Sequence, residues 1–307
     1  MKITRSILLF LLLTALFASL LSGCATPTPA PTTLTDGLGR SVTLPAPAQR
    51  IVSLTPSNTE ILFALGAGAQ VVGRDEFSNY PAEVSSLPGV GGSMGKYNFE
   101  QIAALNPDLV LAGAINTPEQ VKALEDLGLT VYVLANPDDL EGMYKDLQTV
   151  GELTGKTTEA QQLSQSLQER VAAVEAKIAQ AQTRPIVFYE LDGSTPDKPW
   201  TSGPNTFISK LIAQAGGQNV GDALESDWAQ ISQEALIAQN PALILLGDAA
   251  YGMTAEQVAQ RPGWDVIAAV QNGRVLPFDD NLVSRPGPRL VDGLETLARL
   301  IHPELFE

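Results

Sequence analysis

One stretch of this chain occurs twice. EQIAALNPDLVLAG at residues 100–113 is matched 134 residues later by EALIAQNPALILLG at residues 234–247. The glutamate, the Asn-Pro pair, the apolar run and the closing glycine keep their places. In each copy a short amphipathic segment is cut off by Asn-Pro, because proline disfavours helix for the residue before it. An apolar run comes next that reads as a buried strand. Self-similarity on this scale points to duplicated supersecondary units. The chain must therefore build two related bodies, each with one glutamate in the first turn of a short helix. A helix dipole tolerates a negative charge there. A structural reading of the two glutamates is simply that of helix-start residues. The sharper reading is a pair of matched acidic knobs for a partner with two-fold symmetry.

The remaining pattern fits that duplication. Strands are expected at Arg50–Leu54, Gln70–Gly73, Asp108–Ala112 and Thr130–Leu134, and helices at Ser57–Gly66, Asn98–Leu105 and Pro118–Leu127. Ser57 and Glu60 fit a capping box for the first helix, with Gly66 as its stop. Leu140, Met143, Leu147 and Val150 then step at helical spacing, and a second stripe runs through Leu163, Leu167, Val171, Val174 and Ile178. The second stripe predicts one helix over 158–182, about 36 Å long at 1.5 Å per residue, capped by Thr158 and Gln161. Strands restart at Pro185–Leu191, Ala242–Gly247 and Arg274–Pro277, with helices near Asn205–Ala215, Gln233–Gln239, Thr254–Gln260 and Pro288–Ile301. Alternation of this kind gives parallel, doubly wound sheets. The expected fold is α/β: two Rossmann-like lobes, 50–155 and 184–307, joined by a rigid backbone helix at 156–183.

The N-terminus has a different character. Lys2 and Arg5 precede an apolar run from Ile7 to Leu21, which ends in Leu21, Ser22, Gly23 and Cys24. The run is shorter than the roughly 20 residues of a spanning helix and reads as a secretory signal. The only cysteine of the chain stands where a lipobox would place it. That resemblance implies cleavage after residue 23, a lipid on Cys24, and an extracytoplasmic protein held to the membrane by its acyl chains. Ala25–Thr35, rich in Pro and Thr, is expected to be an extended tether, with 24–49 as tether and lead-in. Removing Lys2 and Arg5 leaves 17 basic against 34 acidic groups. Such a balance excludes a nucleic-acid partner, which needs a basic footprint. One cysteine and one histidine exclude a thiolate-rich or multi-histidine metal site.

IVSLTPSNTEILFALG at 51–66, followed by VVGR at 71–74 and SNYP at 78–81, resembles the N-lobe of the helical-backbone periplasmic binding proteins. These serve ABC importers of cobalamin, haem and iron-siderophores. The likeness covers residues 36–305 and is strongest to the vitamin B12-binding members, through PSNTE, WTSG at 200–203 and WAQISQE at 228–234. It implies a cleft between the lobes lined by Phe77, Met94, Tyr97, Trp200, Trp228 and Arg285, with Met94 where those members carry an aromatic. Arg285, in the loop before Pro286-Gly287-Pro288 near the expected cleft, either meets a propionate, a siderophore carboxylate or a corrin amide, or is a plain surface arginine. The resemblance also implies that Glu100 and Glu234 dock on arginines of an ABC permease dimer with its ATPase. The expected protein is then a monomer that carries a corrinoid, has no catalytic residues and needs no cofactor of its own. Trp264 is expected in the core or on the lobe surface.

Other readings compete. Gly91–Gly95 (GGSMG) matches the G-x-S-x-G pattern, and Asp279 or Asp280 and His302 come after it in hydrolase order. However, no strand leads directly into Ser93 and no helix starts at once behind it. Haem is a rival ligand, with Tyr80, Tyr97 or Tyr251 as the axial donor. A ferric siderophore is another, and a surface adhesin is the alternative of a different class. No strand leads into a phosphate-binding glycine loop.

Overall fold

A computed structural model describes residues 31–306. Cys24, the signal segment and the first part of the tether lie outside the described residues. In chain order the strands and helices are β1 (Thr32–Thr35), β2 (Ser41–Leu44), β3 (Ile51–Ser53), α1 (Pro56–Ala64), β4 (Val71–Arg74), α2 (Phe99–Ala104), β5 (Leu109–Gly113), α3 (Pro118–Asp126), β6 (Val131–Leu134), α4 (Leu140–Thr154) and α5 (Thr157–Ile178). They continue with β7 (Ile186–Asp192), β8 (Trp200–Ser202), α6 (Phe207–Gln214), β9 (Gln218–Asn219), β10 (Trp228–Gln230), α7 (Gln233–Gln239), β11 (Leu243–Leu246), α8 (Ala255–Ala259), α9 (Ala268–Gln271), β12 (Val275–Pro277), α10 (Asn281–Ser284) and α11 (Leu290–Ile301).

The first lobe is a parallel sheet in the order β4-β3-β5-β6, and the second runs β10-β8-β7-β11-β12 with β9 beside β7. The repeat is visible in the register. Leu109, Val110 and Leu111 of β5 pair with Ile51, Val52 and Ser53. Leu243, Ile244 and Leu245 of β11 pair with Val187, Phe188 and Tyr189. Both copies of the Asn-Pro pair turn the same corner: Asn106 and Asn240 hold φ of 46° and 47°, a left-handed conformation that asparagine tolerates better than most residues. The repeated glycine is required by close approach. A Cβ on Gly113 would stand 2.7 Å from the Thr55 side chain, and one on Gly247 2.7 Å from the Tyr189 ring.

One apolar core passes under both sheets. Ile51, Leu109 and Leu111 of the first lobe, Leu167, Val171 and Val174 of α5, and Val187, Leu243 and Leu245 of the second lobe belong to a single cluster. The spine helix is thus glued along its buried stripe rather than acting as a free connector. It has 22 residues and starts after Lys156 without a side-chain cap, so Thr158 and Gln161 do not cap it. A second tie is Arg170, whose guanidinium reaches Asp292 at 2.5 Å and Glu295 at 2.9 Å on α11.

The structure corrects two further expectations. Thr32–Thr35 is not tether: it pairs antiparallel with Ser41–Leu44. The hairpin is fixed to the first lobe by Gly37 N donating to Val133 O at 2.7 Å and by Arg40 bridging Asp36 and Glu125. Nor do Ser57 and Glu60 form a capping box. Thr55 caps α1, accepting from Asn58 N at 3.3 Å, and the buried Glu60 is used elsewhere. Among the described residues no helix is long and apolar enough to cross a membrane.

Candidate functional site

In each lobe the chain reverses its order along the sheet at one point, between β3 and β5 and between β7 and β11. Crevices outside the carboxyl ends of the strands at such points are the usual ligand sites of open α/β sheets. Both points carry a cavity here. The first, about 220 Å³, lies over Thr55–Asn58, Gly113–Ile115 and Leu134–Pro137, and is walled by Ser284–Pro286 from the second lobe. The second, about 380 Å³, is lined by Leu191, Asp192, Ser194, Asp248, Tyr251 and Met253. A drug-sized ligand takes roughly 300–1,000 Å³, a range that the second crevice reaches and the first does not.

Several large apolar side chains stand in solvent, among them Ile115 of the first crevice and Tyr251 of the second. Trp200 and Trp228 are 42% and 54% exposed, Met94 is 89% exposed and Tyr251 92%, with Phe77 and Ile115 also open. The two indoles belong together. β8 pairs antiparallel with β10, Trp200 facing Gln230 and Ser202 facing Trp228. Trp200 and Trp228 are therefore diagonal neighbours on one sheet face, a separation of about 7–8 Å between backbones. β7 bulges between Glu190 and Asp192, which makes Asp192 the cross-strand partner of Trp200. Phe77 is held outward by its loop, where Asp75 accepts from Phe77 N at 2.9 Å and from the Ser78 hydroxyl. Burial of Asp75 raises its pKa despite these donors. Met94 rides on a turn at φ 50°, an uncommon conformation for a residue with a Cβ and one that clusters at functional sites.

Two expected lining residues are placed differently. Tyr97 turns inward: it packs on the outer core of the first lobe and its hydroxyl donates to Leu54 O at 3.0 Å. It does not replace the aromatic that Met94 lacks. Arg285 is not free for a ligand carboxylate. Its Nη1 donates to Glu60 at 3.0 Å and Asn79 at 2.8 Å, and its Nη2 to Phe77 O at 3.3 Å. Arg289 adds two bonds to the same glutamate, 2.8 and 2.6 Å. Glu60 of α1 is thereby clasped by two arginines of the other lobe. Sequence reasoning missed that role; the available signal was a lone charge in an otherwise uncharged helix, with two arginines flanking Pro286–Pro288.

Trp264 is fully buried, edge-to-face with Phe188 at 6.2 Å and 4.5 Å from the Arg261 guanidinium. Of the tyrosines weighed as haem donors, Tyr97 faces inward, Tyr80 is 47% exposed with the Arg289 guanidinium 4.1 Å over its ring, and Tyr251 is the most open. Ser93 sits in a 3-10 turn, with Gly92 N bonded to Lys96 O at 2.7 Å, not on a strand-to-helix elbow. His302 is buried at the end of the chain's last long helix, against Gly216 O at 3.2 Å and Glu304 at 3.1 Å.

Glu100 and Glu234 are both exposed and both sit at the second position of their helix, after the capping side chains of Asn98 and Ser232. Each helix leads through its Asn-Pro corner into the next strand of its sheet.

Comparison with known proteins gives a consistent picture. The family described as periplasmic binding protein matches residues 51–282. An uncharacterized ABC transporter substrate-binding lipoprotein of Bacillus subtilis is 34% identical over 95% of this chain and 96% of that protein. A cobalamin-binding protein of Halobacterium salinarum is 31% identical over 89% of this chain and 74% of its own length. The solved periplasmic heme-binding protein of Roseiflexus sp. RS-1, in apo form, superimposes with a TM-score of 0.76 at 28% identity, covering 84% of this chain and 99% of that one.

Proposed function

The chain belongs to the periplasmic binding protein family, and from that premise we propose that it is the extracytoplasmic substrate-binding lipoprotein of an ABC importer, carrying a corrinoid in the cleft between its lobes. One observation carries the reading: two indoles stand side by side in solvent next to a crevice at a sheet switch point. Contiguous exposed aromatic surface on a monomer marks an interaction site. A corrin is a broad, partly apolar ring with amides at its rim, and aromatic faces suit it. The names of the B. subtilis lipoprotein and the H. salinarum cobalamin-binding protein agree with that class. Haem is the second reading, favoured by the heme-binding neighbour and by the open Tyr251; a ferric siderophore is the third. Isothermal titration with cyanocobalamin, haemin and a ferric siderophore, side by side, separates them. Heat from cyanocobalamin alone is the expected result, and binding of none of the three sinks the reading.

Delivery uses the same layout. The single core under both sheets limits the lobes to a small rocking motion. Glu100 and Glu234 then present two equivalent charges to a two-fold permease, orienting and steering it more than setting affinity. Reversing both (Glu100→Lys with Glu234→Lys) is expected to abolish uptake by cells and leave ligand titrations unchanged. Loss of ligand binding in that variant contradicts the docking role. A lipid on Cys24 would hold the carrier beside its permease.

A further inference from the structure

The crevice of the second lobe has a chemistry that the aromatic cleft does not explain. Asp248 comes shortly after β11 and is only 6% exposed. Its Oδ2 accepts from Gly193 N at 2.8 Å, but its Oδ1 is buried without any hydrogen-bond partner among the described residues. Across the crevice stands Asp192, exposed at the end of β7. Ser194 N donates to its Oδ1 at 2.8 Å, and hydrogen bonding to Ser194 holds its pKa below the usual carboxylate range. Asp192 is charged at any physiological pH. Among the described residues no arginine or lysine lines the cavity that these two share with Ser194, Tyr251 and Met253. The neighbouring cation, Arg261, is consumed by Glu190, at 2.5 and 2.8 Å. A buried carboxylate oxygen without a donor costs free energy until one arrives.

We infer that Asp192 and Asp248 form a donor-seeking subsite, so the cargo is a chelate that presents a cationic or N–H/O–H-rich group there and is not an anionic one. The inference rests on the cleft being the ligand site. Asp192 is the cross-strand partner of Trp200, which sets the acidic crevice against the indole platform: a ring lying on the indoles has its rim at the carboxylates. Burial raises the pKa of Asp248, with the charge of Asp192 adding to it and Arg261 opposing. A cation entering the crevice favours the ionised form of both groups. An anionic chelate, such as a haem with ionised propionates or a ferric tris-catecholate, meets two carboxylates and no lining cation on this side.

The test compares chelates of unlike charge on the full mature protein in detergent, with the cobalamin pair matched in shape as well. Aquocobalamin carries one positive charge and cyanocobalamin none, while the corrin is the same. Ferrioxamine B is cationic and ferric enterobactin strongly anionic. In whichever pair binds, the cationic member is expected to bind about tenfold more tightly or better, the equivalent of about 1.4 kcal/mol. Asp192→Asn with Asp248→Asn is expected to bring the two members of the pair within about twofold. Equal affinities in the unaltered protein, a preference for the less positive member, or an unchanged preference in the double variant overturns the subsite. Those outcomes leave the cleft reading standing; binding of none of the four removes both. The comparison on the unaltered protein decides the matter even where the double variant fails to fold.

Discussion

The two lobes have the same frame and opposite mouths. Residue for residue, β3 against β5 and β7 against β11 keep one register, and the repeated glycine brings the chain to the crevice in both. The segments leaving the strands are different. In the first lobe β3 runs into α1, so its crevice rests on a helix N-terminus with Thr55 as cap, an end with partial positive charge. In the second, β7 bulges against its neighbour β8, and its crevice rests on Asp192 and Asp248. Duplication set where a ligand can lie; the residues just past the strands set what the two ends accept.

The difference begins one layer down. In that register Leu54 of the first lobe, one residue past β3, corresponds to Glu190 of the second. Where the first lobe has a plain apolar contact, the second has a fully buried ion pair with Arg261, which also stacks on Trp264. Burial pushes the Glu190 carboxyl up, while Arg261 pulls it down. Arg261→Ala leaves that carboxylate uncompensated and is expected to cost about 3–5 kcal/mol. Rebuilding the site on the pattern of the first lobe, with Glu190→Leu and Arg261→Met together, is expected to cost far less than the single change. Urea unfolding midpoints at equal m decide it. A double variant as unstable as Arg261→Ala breaks the proposed equivalence of Leu54 and Glu190.

The lobes also differ in how they hold each other. The first contributes one acid, Glu60; the second contributes two arginines, Arg285 and Arg289. All three side chains are largely buried, so removing the acid strands two cations. Glu60→Ala is expected to destabilise by about 2–4 kcal/mol, somewhat below the Arg261 change because Asn79 and Phe77 O still receive Arg285. It is also expected to widen the distance distribution between lobes in solution scattering. An unchanged distribution shows that the shared core alone fixes the lobes.

The sequence made the frame legible and the joints obscure, for a physical reason. Strands and helices of the repeat are local: Asn106, Asn240, Gly113 and Gly247 declare them through backbone conformation and close approach. The spine was readable because five apolar residues share one helical face. The clasp was not, since Glu60 and Arg285 meet across 225 residues and a glutamate three places after Ser57 looks like a cap. Thr32–Thr35 reads as tether, although β-branched threonine suits a strand once a partner is present. The strands of Trp200 and Trp228 have three residues each, too few for any period. Likeness to the family points to both tryptophans, whereas nothing in the sequence points to the neighbouring Asp192 and Asp248. A carboxylate on a loop carries no sign of the crevice that forms only when β7 and β11 lie side by side.

The smallest predicted effect separates the two crevices by their acids. Asp146 of α4 is the only carboxylate lining the first crevice among the described residues. Burial alone pushes its pKa up to about 7; its Oδ2 has no partner among those residues, and Arg285, which lines the same cavity, is committed to Glu60 and Asn79. In the unfolded chain the group titrates near its ordinary value of 3.8. The folded state therefore binds the proton more tightly, and the stability linked to it is complete below about pH 4 and lost as pH rises to about 7. One pKa unit corresponds to about 1.36 kcal/mol, and partial exposure brings the expected change to about 1–3 kcal/mol. Asp146→Asn cannot titrate. The stability of the unaltered protein relative to this variant is expected to fall between about pH 4 and 7 and to level off above. Asp192 in the other crevice, held low by Ser194, is expected to give Asp192→Asn no such drift over that range. Parallel unfolding curves for Asp146→Asn and the unaltered protein across that interval show that Asp146 is hydrated in the folded protein, and the contrast between the two mouths then rests on the helix end of α1 against the Asp192 and Asp248 pair.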